Sequence, residues 1–322
     1  GSHPSHNREE IRRLVGKEIG ARISLVEHDS KNTEDLVFLG TTKFGTPVSL
    51  NRRILETDVL LVAGTVVHHY FAGYGGGPKM INPGCAGYET ITRNHALTID
   101  QKTGTIHSKC QIGVLEGNPV QEDILDSMRF VKADFSLTTI LDPGGDIARA
   151  MCGELFATHE QARKCIDEHY KVAIAERADV VVVSCGGFPK DINLIQIHKS
   201  IHNAFQAVKQ GGVLLVLAEC AQGVGSETFL DWFEYDDQSL KAALVSRFTL
   251  NATTALSLKS KAKAVKIILV SRLPENLVRK LGLTPAKTLD DGWREARKML
   301  PENSTAFVIP NGSLTLPVLT EK

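Results

Sequence analysis

The sequence has no surplus of charge of either sign: 37 lysines and arginines face 37 aspartates and glutamates. Net charge therefore recruits neither nucleic acid nor an acidic partner. No apolar run approaches the roughly 20 residues that cross a bilayer, and the start lacks the basic, apolar and small-residue pattern of a secretion signal. No membrane attachment is expected. Cysteine is sparse and scattered: Cys85, Cys110, Cys152, Cys165, Cys185 and Cys220 include no CxxC pair. That excludes a disulfide scaffold and a cysteine-rich zinc site, and it points to a cytoplasmic protein with reduced thiols. An initiator methionine is missing too. The chain opens Gly1-Ser2-His3, which a cleaved purification tag also leaves behind, and a truncated first lobe is expected.

What is present is an alternation of short β-branched runs with helical patterns. Strands are predicted at 23–27, 36–39, 47–50, 59–63, 135–141, 180–184, 213–217, 265–270 and 305–309. Helices are predicted at 9–18, 86–97, 121–131, 161–177, 192–209, 238–246 and 290–300. The runs Val180-Val181-Val182-Val183 and Val213-Leu214-Leu215-Val216-Leu217 are continuous, as in central parallel strands covered on both faces. The class is α/β. The 322 residues suffice for two cores. We expect lobes at 1–160 and 161–322, each a mostly parallel sheet with flanking helices, joined by the polar helix at 161–177. A motif recurs between them: Gly75-Gly76-Gly77-Pro78-Lys79-Met80-Ile81-Asn82 returns as Gly186-Gly187-Phe188-Pro189-Lys190-Asp191-Ile192-Asn193. Each copy follows an apolar run that begins with aspartate, Asp58 or Asp179. Two glycine–lysine loops at the ends of two sheets place the active-site cleft between the lobes.

The first loop is the densest in chemistry. Residues 68–79 hold His68, His69, four glycines and Lys79. The loop is no P-loop, because Pro78 precedes Lys79 and Met80 follows, and it is no dinucleotide fingerprint, because Pro78 intervenes and no helix begins promptly. What remains is a permissive loop with one amine, suited to an anionic ligand or to covalent attachment of a carbonyl-type cofactor; a solvated loop lysine has the same local sequence. His68 and His69 alternate faces, so at most one enters the cleft. His95 lies near a helix end, where a metal-ligand role and a helix-dipole role are equally open. HExxH is absent. In the second lobe Asp191 is placed to cap a helix from Ile192, whose first turn brings Gln196 and Lys199 toward a ligand. A surface lysine is the plainer reading of Lys199. These residues support a small anion-binding α/β enzyme.

Residues 69–79, Pro83-Gly84-Cys85-Ala86-Gly87-Tyr88-Glu89-Thr90-Ile91, Asn94-His95, Gly117-Asn118-Pro119 and residues 186–193 together resemble the nickel-dependent lactate racemase family of 2-hydroxyacid racemases and epimerases. The resemblance runs over nearly the whole chain. It implies an isomerase carrying a nickel-pincer nucleotide, a pyridinium-3,5-bisthiocarboxylic acid mononucleotide that holds nickel, with cofactor-biosynthesis enzymes as partners and a small 2-hydroxyacid as substrate. It further implies that Lys79 is joined to the cofactor through a thioamide and that His95 is the protein's nickel ligand. His69 and His3 would be the acid/base pair, and Gln196 and Lys199 would close over cofactor and substrate. The glycines Gly75, Gly76 and Gly77 would allow close approach to the cofactor. The chain departs from the family pattern in lacking its Asp-x-Thr-Arg segment, in Gly75 for a frequent serine, in Pro4-Ser5 after His3, and in Ile195 for a tyrosine near the substrate. The competing reading is a non-catalytic or degenerate α/β module that binds a nucleotide or small anion. A dehydrogenase with free NAD is disfavoured, since no fingerprint follows any strand.

Overall fold

The four consecutive valines lie in the strand Ala178–Ser184 of a computed structural model that describes residue 1 and residues 8–320. This strand pairs in parallel with Val208–Leu217 on one side and Ala306–Ile309 on the other. Lys266–Val270 and Thr284–Ala286 extend the sheet, giving five parallel strands in the order 284–286, 266–270, 208–217, 178–184, 306–309. Both faces are covered. Val181, Val183, Leu214 and Val216 pack with Ile197, Ile201 and Ala204 of the helix Leu194–Phe205. Val180, Val213 and Leu215 meet Ala296 of the helix Leu289–Arg297 on the opposite face. Burial on both faces is why these runs are continuous rather than alternating.

The first lobe is built on a three-stranded mixed sheet. Leu61–Thr65 runs parallel to Phe135–Leu141, which turns back through an antiparallel pairing to Ile147–Gly153. A hairpin of Leu36–Thr41 and Pro47–Asn51 supplies Val48 and Leu50 to a core with Ile81, Ile91 and Leu155. The helix Leu155–Tyr170 lays Ala162 and Ile166 on Val66 and Ile140. Residue 160, the expected end of the first lobe, falls within this helix.

Three sequence expectations are corrected. Residues 23–27 form no strand. The linking helix is Leu155–Tyr170 rather than 161–177, because Lys171–Ile174 leaves it to pair in parallel with Leu316–Leu319. Asp191 does not cap the helix after it. Asn193 does, accepting from the Gln196 amide at 3.0 Å, while the Asp191 carboxylate accepts from the Glu219 amide at 2.9 Å. Among the described residues no helix is long and apolar enough to cross a membrane, and all six cysteines are free.

The Gly117-Asn118-Pro119 motif has a structural explanation. The fully buried Asn118 caps the helix Pro119–Ser127 through its Oδ1. Its Nδ2 donates to the carbonyls of Phe71 at 2.8 Å and Val114 at 3.0 Å. One side chain thus fixes a helix start and the loop that carries Phe71. Asn118→Ala removes a cap and strands two buried carbonyls, so a stability loss of about 2–4 kcal/mol is expected in urea titration.

Candidate active site

The loop after Leu61–Thr65 folds as a tight antiparallel pair, with His68 opposite Tyr74 and His69 opposite Gly73. Adjacent strand residues face opposite ways, and the two histidines separate accordingly. His68 Nε2 lies 2.8 Å from Asp167 Oδ1. Asp167 also accepts from Tyr74 Oη at 2.8 Å and Lys171 Nζ at 2.7 Å. His68 therefore anchors the loop to the helix Leu155–Tyr170. His69 faces the interior, its ring 4.5 Å from Phe71 and 5.6 Å from Tyr70, centroid to centroid. The Ala72 amide donates to its Nδ1 at 3.3 Å. Burial, then the charges of Lys79, Lys199, His95 and His202, hold its pKa well below the usual imidazole value.

Gly75, Gly76 and Gly77 are buried. A Cβ on Gly76, at φ 72°, would stand 2.7 Å from the Thr65 carbonyl oxygen. One on Gly77, at φ 53°, would stand 2.6 Å from His159 Cγ. Only glycine combines that backbone conformation with that proximity. His159 Nε2 bonds the Gly75 carbonyl at 3.1 Å, so the loop is clamped against the helix below it. The glycines let Lys79 emerge close to the end of the Leu61–Thr65 strand. Burial lowers the pKa of the 5 %-exposed His159 to about 4. A depressed imidazole pKa stabilises the fold fully above the ordinary value near 6.5 and loses that contribution as the pH falls toward 4. Up to about 3 kcal/mol is expected to disappear between pH 7 and pH 4 from this group, read as a falling urea midpoint.

Phe71 is the wall on which the predicted residues meet. Lys79 Nζ lies 5.8 Å from its ring centroid, and the His95 ring, from the last turn of Tyr88–Ala96, lies 5.1 Å away at a steep angle. Lys79 has its pKa lowered to about 8 by burial, with Lys199 adding. His69, Tyr70, Phe71 and His95 form one side of a cavity of about 150 Å³. Ile195, Gln196 and Lys199 from the helix Leu194–Phe205 form another, and Phe248, Leu250 and Asn251 close it. Lys199 is exposed, yet desolvation lowers its pKa. Its Nζ donates to Gln196 Oε1 at 3.0 Å. Gln196 and Lys199 also line an adjoining cleft of about 290 Å³, with Val67, Asp142, Lys190 and Ser313. Lys190, the second-lobe echo of Lys79, thus faces the same cleft.

The structure brings together His69, Lys79, His95, Gln196 and Lys199. His3 lies outside the described residues. Sequence reasoning missed the segment 248–254, including Thr254, whose hydroxyl bonds Tyr70 Oη at 2.7 Å. It bears no glycine or charge signal, and only Asn251, at φ 71°, marks a turn.

The lactate racemase N-terminal domain family matches residues 1–106, and the lactate racemase C-terminal domain family matches residues 173–316. The lactate racemase of Thermoanaerobacterium thermosaccharolyticum is 30% identical over 97% of this chain and 74% of its own. The chain belongs to the lactate racemase family. It is accordingly an isomerase. The family's lactate racemase from Lactiplantibacillus plantarum is 26% identical over the same shares of the two chains. The solved apoprotein of the Thermoanaerobacterium lactate racemase superposes with a TM-score of 0.88 at 29% identity, covering 100% of this chain and 77% of that one. A Thermotoga maritima protein shares the fold, with a TM-score of 0.72 at 17% identity over 99% of this chain and 84% of its own.

Proposed function

We propose that the protein racemises a small 2-hydroxyacid of the lactate type, using a nickel-pincer nucleotide tethered at Lys79, with His95 as the protein's ligand to nickel. His69 and His3 are the acid/base pair. The lobes 1–160 and 161–322 close on this site. The observation that carries the reading is the meeting of His69, Lys79 and His95 at Phe71, with Gln196 and Lys199 facing them from the other lobe.

The residues fit the cofactor. A lysine with a pKa of about 8 keeps a useful fraction of neutral, nucleophilic amine near neutral pH. Among the described residues no group of three or more His, Cys, Asp or Glu is placed to hold a metal ion. A metal beside His95 therefore has to arrive with most of its ligands, as it does in a pincer. The two adjoining cavities offer room that neither has alone for a mononucleotide and a substrate. What the cofactor supplies when bound is a reversible hydride acceptor for the substrate C2.

The chain's own residues supply the rest. Lys199, held by Gln196, presents an ammonium to the substrate carboxylate. Ile195 and Phe248 place apolar surface beside it. His69 takes up or returns the proton of the C2 hydroxyl, and a histidine on the other face serves the opposite enantiomer.

The test is intact-protein mass and nickel content after co-expression with the cofactor-synthesis enzymes. A nucleotide-sized adduct at Lys79, together with bound nickel, is expected. Protein that takes up neither is a non-catalytic module.

A further inference from the structure

Behind the Tyr70–Phe71 wall lies a second cavity, of about 440 Å³. His107, Ser108 and Gln111 line it from the first lobe, and His202, Ser260 and Lys261 line it from the second. Among the described lining residues it shares only Tyr70 and Phe71 with the cavity of His69 and His95. No aspartate or glutamate lies among its described lining residues.

Lys261 is the unusual member. It sits on the helix Ala252–Ala264 and is 6% exposed. Its Nζ donates to the Ser257 hydroxyl and, at 3.4 Å, to the Ser257 carbonyl. Those bonds use two of the three ammonium protons. His198 Nε2 bonds the same hydroxyl at 3.1 Å. Burial lowers the Lys261 pKa to about 7, and among the described residues no carboxylate acts against it. Beside it, the buried Nδ1 of His202 has no hydrogen-bond partner among the described residues. A buried amine without a counter-charge, next to an unsatisfied imidazole nitrogen, is costly in an empty-handed fold. A methionine would fill the lysine's volume without that cost. An anion received from solution would satisfy both groups.

We propose that this cavity is a second site, apart from the catalytic one, for a small oxyanion held by Lys261 and His202. The shared chemistry is a compact anion with two or three acceptor oxygens, either a carboxylate or a phosphate. An anion there touches residues 107–111 on one side and the helix Ala252–Ala264 on the other, so it ties the two lobes together. It also lies against Tyr70, whose ring stacks on His69 and whose hydroxyl bonds Thr254. The inference stands on this cavity's own residues and does not need the racemase reading.

Thermal unfolding of the full chain, titrated separately with inorganic phosphate and with acetate at constant ionic strength, tests it. A saturable rise in Tm is expected for at least one of the two, with half-saturation roughly in the millimolar range. The arm that saturates identifies the anion class. Lys261→Met is expected to weaken the effect by about tenfold or more, and His202→Gln to weaken it in the same direction. Lys199→Met, in the catalytic cleft, is expected to retain it. If Lys261→Met does not fold, His202→Gln gives the same reading. No saturable shift with either anion overturns the proposal. So does a shift untouched by the Lys261 and His202 variants, or one abolished by Lys199→Met, which would place the anion in the catalytic cleft.

Discussion

On the proposed reading, Lys79→Ala is expected to abolish racemisation, by roughly a thousandfold or more, because the variant would lose the atom proposed to tether the group carrying the chemistry. The amine of Lys79 stands near the Phe71 face and titrates at about 8. Two roles are compatible with that position: a fixed cation for a bound anion, and a nucleophile that forms a covalent bond. Lys79→Arg separates them. The guanidinium keeps the charge and never deprotonates under these conditions, so it preserves the first role and cannot perform the second. Both variants should lack the nucleotide-sized mass increment, and both should be inactive in a chiral assay of the product. Lys79→Arg turning over within about tenfold of the wild type would reduce Lys79 to an electrostatic contact. Lys79→Ala carries a second signature: with one of its depressing charges gone, the His69 imidazole should titrate at higher pH by NMR.

The parts of this site that were legible in the sequence were those with local signals. The parallel sheet of the second lobe announced itself in two continuous apolar runs, since a strand buried on both faces needs no alternation. The loop 68–79 was conspicuous because glycine, histidine and lysine rarely accumulate without reason. Strand alternation separates His68 from His69 without saying which faces inward; the family resemblance singles out His69, and Asp167 supplies the partner that His68 takes. Other features are products of packing between distant segments. The helix Ala252–Ala264 buries Thr253, Thr254, Ser257 and Lys261 along with its apolar residues, so it has no apolar stripe to detect. The strand Lys171–Ile174 is four residues long and exists only because Leu316–Leu319 pairs with it. Gly76 and Gly77 press against Thr65 and His159, so their conformational freedom also seats the loop, a packing role that the sequence does not show.

His69→Asn is expected to lower kcat by about 10²–10⁴-fold, the range lost with a positioned acid/base group. The kinetics of a racemase make this prediction stricter than it is for most enzymes. Two enantiomers have equal free energies in water, so the equilibrium constant between them is one. The ratio of kcat/KM in the two directions must then stay at one in every variant. A histidine that acts as base toward one enantiomer acts as acid toward the other, and its loss has to appear equally in both directions. His68→Asn is the matched control on the adjacent residue. It removes the 2.8 Å bond to Asp167 from a nearly buried ring and should cost about 1–3 kcal/mol of stability. Correctly folded His68→Asn should retain most of its turnover, whereas correctly folded His69→Asn should lose its rate. The reverse pattern, with activity following His68, would mean that the Asp167-linked imidazole moves the proton. In that case the ring against Phe71 would only shape the pocket.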